Sequence, residues 1–144
     1  MKTLSKKIRN CALISLVFSL IGCGTISHFD QTAYYQVVAL KTETLNIMDL
    51  AKDNYSVHEM EVKTFQTKIQ KAYEYEKSRS KNKITVKQWD LLLNKDGNAL
   101  GSFFRIWESN EKCSETYINE KKKLIGQCFD QIIELEIKKQ KNNL

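Results

Sequence analysis

Proline is absent from all 144 residues of the chain, where average usage would supply about seven. It is the residue that most sharply ends a helix, because it lacks an N–H and its ring strikes the preceding turn. A chain without it can sustain long helices, and it contains neither a Pro-rich linker nor a collagen-like tract. The length suits one domain with one core. With 42% hydrophobic and 28% charged residues, the chain is too apolar for disorder and too interrupted for a multispanning membrane protein.

The apolar residues recur at helical spacing in four stripes. Phe29, Ala33, Val37, Leu40, Thr44, Ile47, Met48 and Ala51 fall within about 100° of one another at 100° per residue, which predicts a helix over 27–52. Asp53-Asn54-Tyr55 reads as a turn, and Ser56 with Glu59 matches a capping box that opens a second helix to about Arg79. Its inner face is Val62, Phe65, Ile69, Ala72 and Tyr73. Thr85 with Gln88 repeats the box before a third stripe of Val86, Trp89, Leu93, Leu100, Phe103, Phe104 and Trp107. Asp96-Gly97 interrupts that stripe as a turn signal, yet the apolar phase is the same on both sides, which favours one kinked helix. Gly97 and Gly101, four apart, leave room for a neighbouring helix to approach. After Ser109-Asn110-Glu111-Lys112 comes the fourth stripe, Tyr117, Ile118, Leu124, Ile125, Cys128, Phe129, Ile132 and Leu135, running into a Lys-rich end. Four segments of matched length, each about 35 to 39 Å at 1.5 Å per residue, joined by short connectors, predict an all-α up-down bundle over 27–144.

The N-terminus has a different grammar. Residues 1–9 carry Lys2, Lys6, Lys7 and Arg9 without an acid, and residues 11–22 carry no charge. A basic start followed by about twelve apolar or small residues is an export signal, since a spanning helix needs roughly twenty. The run ends in Leu20-Ile21-Gly22-Cys23. This resembles the lipobox of bacterial lipoproteins, in which signal peptidase II cuts before a Cys whose thiol has received diacylglycerol. The resemblance implies a cleaved signal peptide over 1–22, a lipidated Cys23 and a short tether over 23–26. It implies a tethered rather than spanning protein, and, because Gly24 rather than Asp follows the Cys, the outer membrane where the organism has one.

Processing also alters the charge. The formal balance is +6, from 23 basic and 17 acidic residues. Removing the four cations of residues 1–9 leaves 19 against 17, near +2. That weak balance, together with export, argues against nucleic acid as a partner.

Catalytic motifs are scarce. His58-Glu59-Met60-Glu61-Val62 begins like the zinc-protease helix motif, but Val62 stands where the second His is required. Asn94, Asp96 and Gly97 suggest part of a calcium loop whose first and closing ligands would be Leu92 and Phe103, so no metal site is expected. Neither a nucleophile elbow nor a phosphate-binding glycine loop occurs. Cys113 and Cys128 remain after processing. A helix beginning near Ser114 puts Cys128 roughly 20 Å along, whereas bridged Cα atoms lie within about 7 Å, so Cys128 is read as a core residue. Two groups remain as candidate contacts. Lys77, Arg79, Lys81, Lys83 and Lys87 form a basic stretch suited to an anionic surface. Trp89, Phe103, Phe104 and Trp107 form a core stripe or, if exposed, a partner-binding patch.

The expectation is a membrane-tethered cell-envelope lipoprotein acting as a non-catalytic binding or structural module, with an envelope protein as partner and no cofactor beyond its lipid. An exclusion, immunity or inhibitor lipoprotein that blocks one partner protein is the first alternative. An envelope small-ligand carrier or enzyme is the second.

Overall fold

In the computed structural model, which describes residues 26–141, the first helix begins where Asp30 caps it, its carboxylate accepting from the Ala33 N–H at 2.9 Å. Cys23 and the Leu20-Ile21-Gly22-Cys23 motif lie outside the described residues. Helix α1 (Gln31–Asp49) runs into a single 3₁₀ turn, Leu50–Lys52, so the expected 27–52 helix starts four residues late. Helix α2 (Tyr55–Ser78) starts one residue before Ser56, and the Ser56–Glu59 capping box does not form. The Tyr55 N–H donates instead to the Glu111 carbonyl at 2.8 Å, and Glu59 pairs with Lys63. The Thr85–Gln88 box fails for the same reason: α3 (Lys83–Leu93) begins two residues earlier and Thr85 is buried.

The third stripe is two helices, not one kinked helix. Helices α3 and α4 (Leu100–Asn110) are separated by residues 94–99. There the Asn94 side chain accepts from the Asp96 N–H at 2.9 Å and its carbonyl from the Gly97 N–H at 3.2 Å, the side-chain-to-backbone pattern of an Asx turn. The chain then folds back so tightly that a Cβ on Gly101 would lie 2.1 Å from the Leu93 carbonyl oxygen. The close approach at Gly101 is therefore by the end of its own preceding helix. Both pieces bury the same side, which is why the apolar phase is continuous in the sequence. Helix α5 (Glu115–Lys141) is the last element of the described residues.

Contacts along the helices give the directions. Asp30, Lys41 and Asp49 meet Glu136, Asp130 and Lys122 in falling order, so α1 and α5 are antiparallel. Asp30 meets Tyr75 and Glu43 meets Lys68, so α1 and α2 are antiparallel. Tyr73 meets Asp90 while Phe65 packs on Phe104, and Trp89 packs on Phe129 while Phe103 stacks on Tyr117. Helices α3 and α4 thus run as one rod between α2 and α5, and the five helices of the described residues fill four places of an up-down bundle. Its core contains Val37, Met48, Val62, Phe65, Trp89, Phe103, Trp107, Ile125 and Phe129, all at 1% exposure or less. Lys121, whose backbone sits within the apolar stripe, snorkels to the Asn98 carbonyl at 3.0 Å.

Candidate functional site

The end of the bundle where the chain enters has polar residues at places that helical periodicity reserves for the core. Glu136 lies four residues after Ile132 and seven after Phe129, and Lys139 lies seven after Ile132, so both point inward from α5. Glu76 continues the buried face of α2 beyond Ile69 and Ala72, and Thr85 and Asn82 close the gap at the start of α3. Just after α2 the chain turns to extended backbone at Arg79 (φ −76°, ψ 129°), which carries its guanidinium back over this end.

These groups satisfy one another. Arg79 Nη2 donates to Glu136 Oε1 at 2.8 Å and to the His28 carbonyl at 2.6 Å. Arg79 Nη1 donates to Glu76 Oε2 at 2.8 Å and to Glu136 Oε2 at 3.1 Å. Lys139 Nζ donates to Glu136 Oε2 at 2.5 Å, Asn82 Oδ1 at 2.9 Å and Thr85 Oγ1 at 2.9 Å. Asn82 Nδ2 donates to Glu76, and Ser27 Oγ donates to Asn82 Oδ1 at 2.8 Å. The Asp30 N–H donates to Glu136 Oε1 at 2.8 Å, and the Tyr75 hydroxyl donates to Asp30 Oδ2 at 2.8 Å.

The buried Lys139 and the partly buried Arg79 thus face two buried anions, Glu76 and Glu136, the arrangement in which buried charge is tolerated. Burial alone would raise the Glu136 carboxyl, but hydrogen bonds from Arg79, Lys139 and the Asp30 N–H outweigh it and hold the group below its ordinary 4.5. For Lys139 burial dominates, and its ammonium is held below the ordinary lysine value despite the Glu136 contact. Arg79 is also opposed by burial, yet Glu136 and Glu76 raise it, so it stays charged. Chemically the cluster is a clasp. Its donors and acceptors are spent on binding residues 27–30 to the ends of α2, α3 and α5.

The residues singled out from sequence fall into different places. Trp89, Phe103, Phe104 and Trp107 are buried at 5% exposure or less, so they form core and not a partner-binding patch. Trp107 also donates from Nε1 to the Asp53 carbonyl at 3.1 Å, tying the far end together. Of the basic stretch, Arg79 is withdrawn from the surface into the clasp, its side chain 9% exposed. Lys77, Lys81 and Lys83 are exposed around the same end, and Lys87 stands one turn further along α3. Cys113 and Cys128 are free thiols, partly buried against the core, and burial raises both above the ordinary cysteine value, away from nucleophilic reactivity. His58 lies on Trp107, with Asp53 and Glu61 at 3.5 and 3.6 Å. Among the described residues no group of three His, Cys, Asp or Glu is placed to hold a metal, and no helix is long and apolar enough to cross a membrane.

A hollow between α2 and the α3–α4 break, lined by Ile69, Leu93, Leu100 and Phe104 among others, encloses about 200 Å³. Small-molecule pockets run from roughly 300 Å³ upward. Larger concavities of about 530 and 540 Å³ lie along the outer side of α2 alone, where no second element faces a ligand. No protein-family model matches the chain, and neither curated proteins nor solved structures give a significant match.

Glu76, Asn82, Thr85, Glu136 and Lys139 were not anticipated as a cluster. A signal was present, since Glu136 and Lys139 are in phase with the apolar stripe of α5, but it was hidden within a run that reads as a solvated Lys-rich helix end.

Proposed function

We propose that the chain is a lipid-tethered protein of the bacterial cell envelope, anchored through Cys23, whose helical bundle is a non-catalytic binding or structural module. The observation that carries this reading is the combination of a basic start, a short uncharged run and Gly22-Cys23 just before a separately cored bundle. The clasp supports it: residues 27–30, which follow the tether directly, are hydrogen-bonded into the bundle and can transmit a fixed attachment. The non-catalytic reading is supported by buried charges that neutralise one another and by thiols that burial disfavours as nucleophiles. Gly24 after the Cys favours the outer membrane where the organism has one.

Intact-mass measurement of membrane-extracted protein tests the anchor. The expected result is a chain beginning at Cys23 with added acyl mass, and release of Cys23→Ser from the lipidated membrane fraction. A wild-type chain lacking lipid mass overturns the reading.

A further inference from the structure

We propose that the clasped end of the bundle is a docking surface for anionic lipid headgroups, on which the bundle stands end-on. Charge is unequal between its two ends. Residues 27–30, 76–83 and 136–141 hold Lys77, Arg79, Lys81, Lys83, Lys138, Lys139 and Lys141 against Asp30, Glu76 and Glu136. Those acids are occupied: Glu76 and Glu136 by Arg79 and Lys139, and Asp30 by Tyr75 and its own helix cap. The clasp therefore consumes the acids and leaves Lys77, Lys81, Lys83, Lys138 and Lys141 exposed. Lys77 and Lys138 reach back to Glu74 and Glu134 one turn higher.

A hollow of about 440 Å³ at the α2–α3 turn is lined by Lys77, Arg79, Lys81, Asn82, Lys83 and Val86. It offers several ammonium groups to one phosphate-bearing headgroup. At the opposite end, residues 49–56 and 108–115 carry Asp53, Glu108, Glu111 and Glu115 against Lys52 and Lys112, while Asp49 is paired with Lys122. An anionic surface attracts one end and repels the other, which selects an upright orientation.

Distance makes the attraction effective. The proposal rests on anchorage at Cys23, from which Ser27 is four residues away, at most about 14 Å of extended chain. Exposed charges act over about 8 Å at physiological ionic strength, and a tether this short lets the lysines come within that range of the headgroups, where attraction then holds them. Helix α5, 27 residues long, spans about 40 Å, which puts the acidic end beyond that range.

The test is amine-reactive footprinting of the processed protein in vesicles of phosphatidylcholine, with and without phosphatidylglycerol, read by mass spectrometry. Phosphatidylglycerol is expected to slow labelling of Lys81, Lys83 and Lys141 at least about threefold and leave Lys52 and Lys112 unchanged. The protection is expected to vanish in about 1 M salt, where the screening length falls to about 3 Å. It is also expected to vanish in the Lys81→Glu, Lys83→Glu, Lys141→Glu variant, whose helicity is checked by circular dichroism. Equal labelling in both vesicles, or equal protection at both ends, overturns the docking surface. Absence of lipid on Cys23 in the same sample overturns the anchor instead. Docking is then read from salt-sensitive cosedimentation of that unlipidated protein with the anionic vesicles, and failure to cosediment overturns it.

Discussion

Glu136 receives hydrogen bonds on both oxygens from Asp30, Arg79 and Lys139, so replacing it by Gln leaves the buried Lys139 and the partly buried Arg79 without their shared counter-charge. Breaking such a pair typically costs about 3–5 kcal/mol, and Glu136→Gln should show a loss of that order in urea unfolding at neutral pH. The pH dependence has a definite sign. Because the folded carboxyl titrates below its ordinary 4.5, its contribution is complete above that value and is lost as pH falls through the folded value. The gap between wild type and Glu136→Gln should therefore narrow as pH falls below 4.5, and a constant gap would contradict the clasp as an ionic device. Glu111 makes a different kind of expenditure. Its φ of 62° and ψ of −37° are costly for any residue with a Cβ, and its exposed side chain gives little in return. Glu111→Gly keeps the carbonyl that accepts from Tyr55 and should stabilise the fold by about 1 kcal/mol, visible as a raised Tm.

Between helices, the decisive element is the break at 94–99. Its turn chemistry is ordinary; its permanence comes from Gly101, where the Leu93 carbonyl occupies the space a side chain would need. A methyl group there meets backbone rather than a flexible side chain, so the end of α3 must shift. Gly101→Ala should cost about 2 kcal/mol or more in chemical denaturation, whereas an Ala in an ordinary helix would be favourable by about 1 kcal/mol. A stabilised variant would show that α3 and α4 are separated by something other than this approach. The two capping boxes teach a related lesson. Ser56 and Thr85 have the right residue three places on, but each helix begins earlier because tertiary partners satisfy its first turn or claim the hydroxyl.

Over the molecule, α1 meets α5 and closes a ring of four rods, and Trp89 of α3 shares one continuous core with Trp107 of α4. The break should therefore not divide the fold into separate units. Unfolding followed by circular dichroism and by the fluorescence of Trp89→Phe and Trp107→Phe, each reporting on the remaining tryptophan, should give coincident transitions within each variant. Separated midpoints would mean that α4 melts apart from the rest. The helical class, the inward face of each rod and their antiparallel order were legible because apolar spacing at three and four residues is a local property of the chain, and short connectors leave neighbouring rods little choice. Lys77, Lys81 and Lys83 were legible as an exposed basic group for the same reason. Arg79 was not separable from them, nor were Glu136 and Lys139 from the polar end of α5. Whether a charge is buried depends on counter-charges brought from elsewhere: Arg79 reaches Glu136 across 57 residues, and Glu136 reaches Asp30 across 106. Periodicity encodes which side of a helix faces inward, but ion pairing depends on distances that exist only once the rods have assembled.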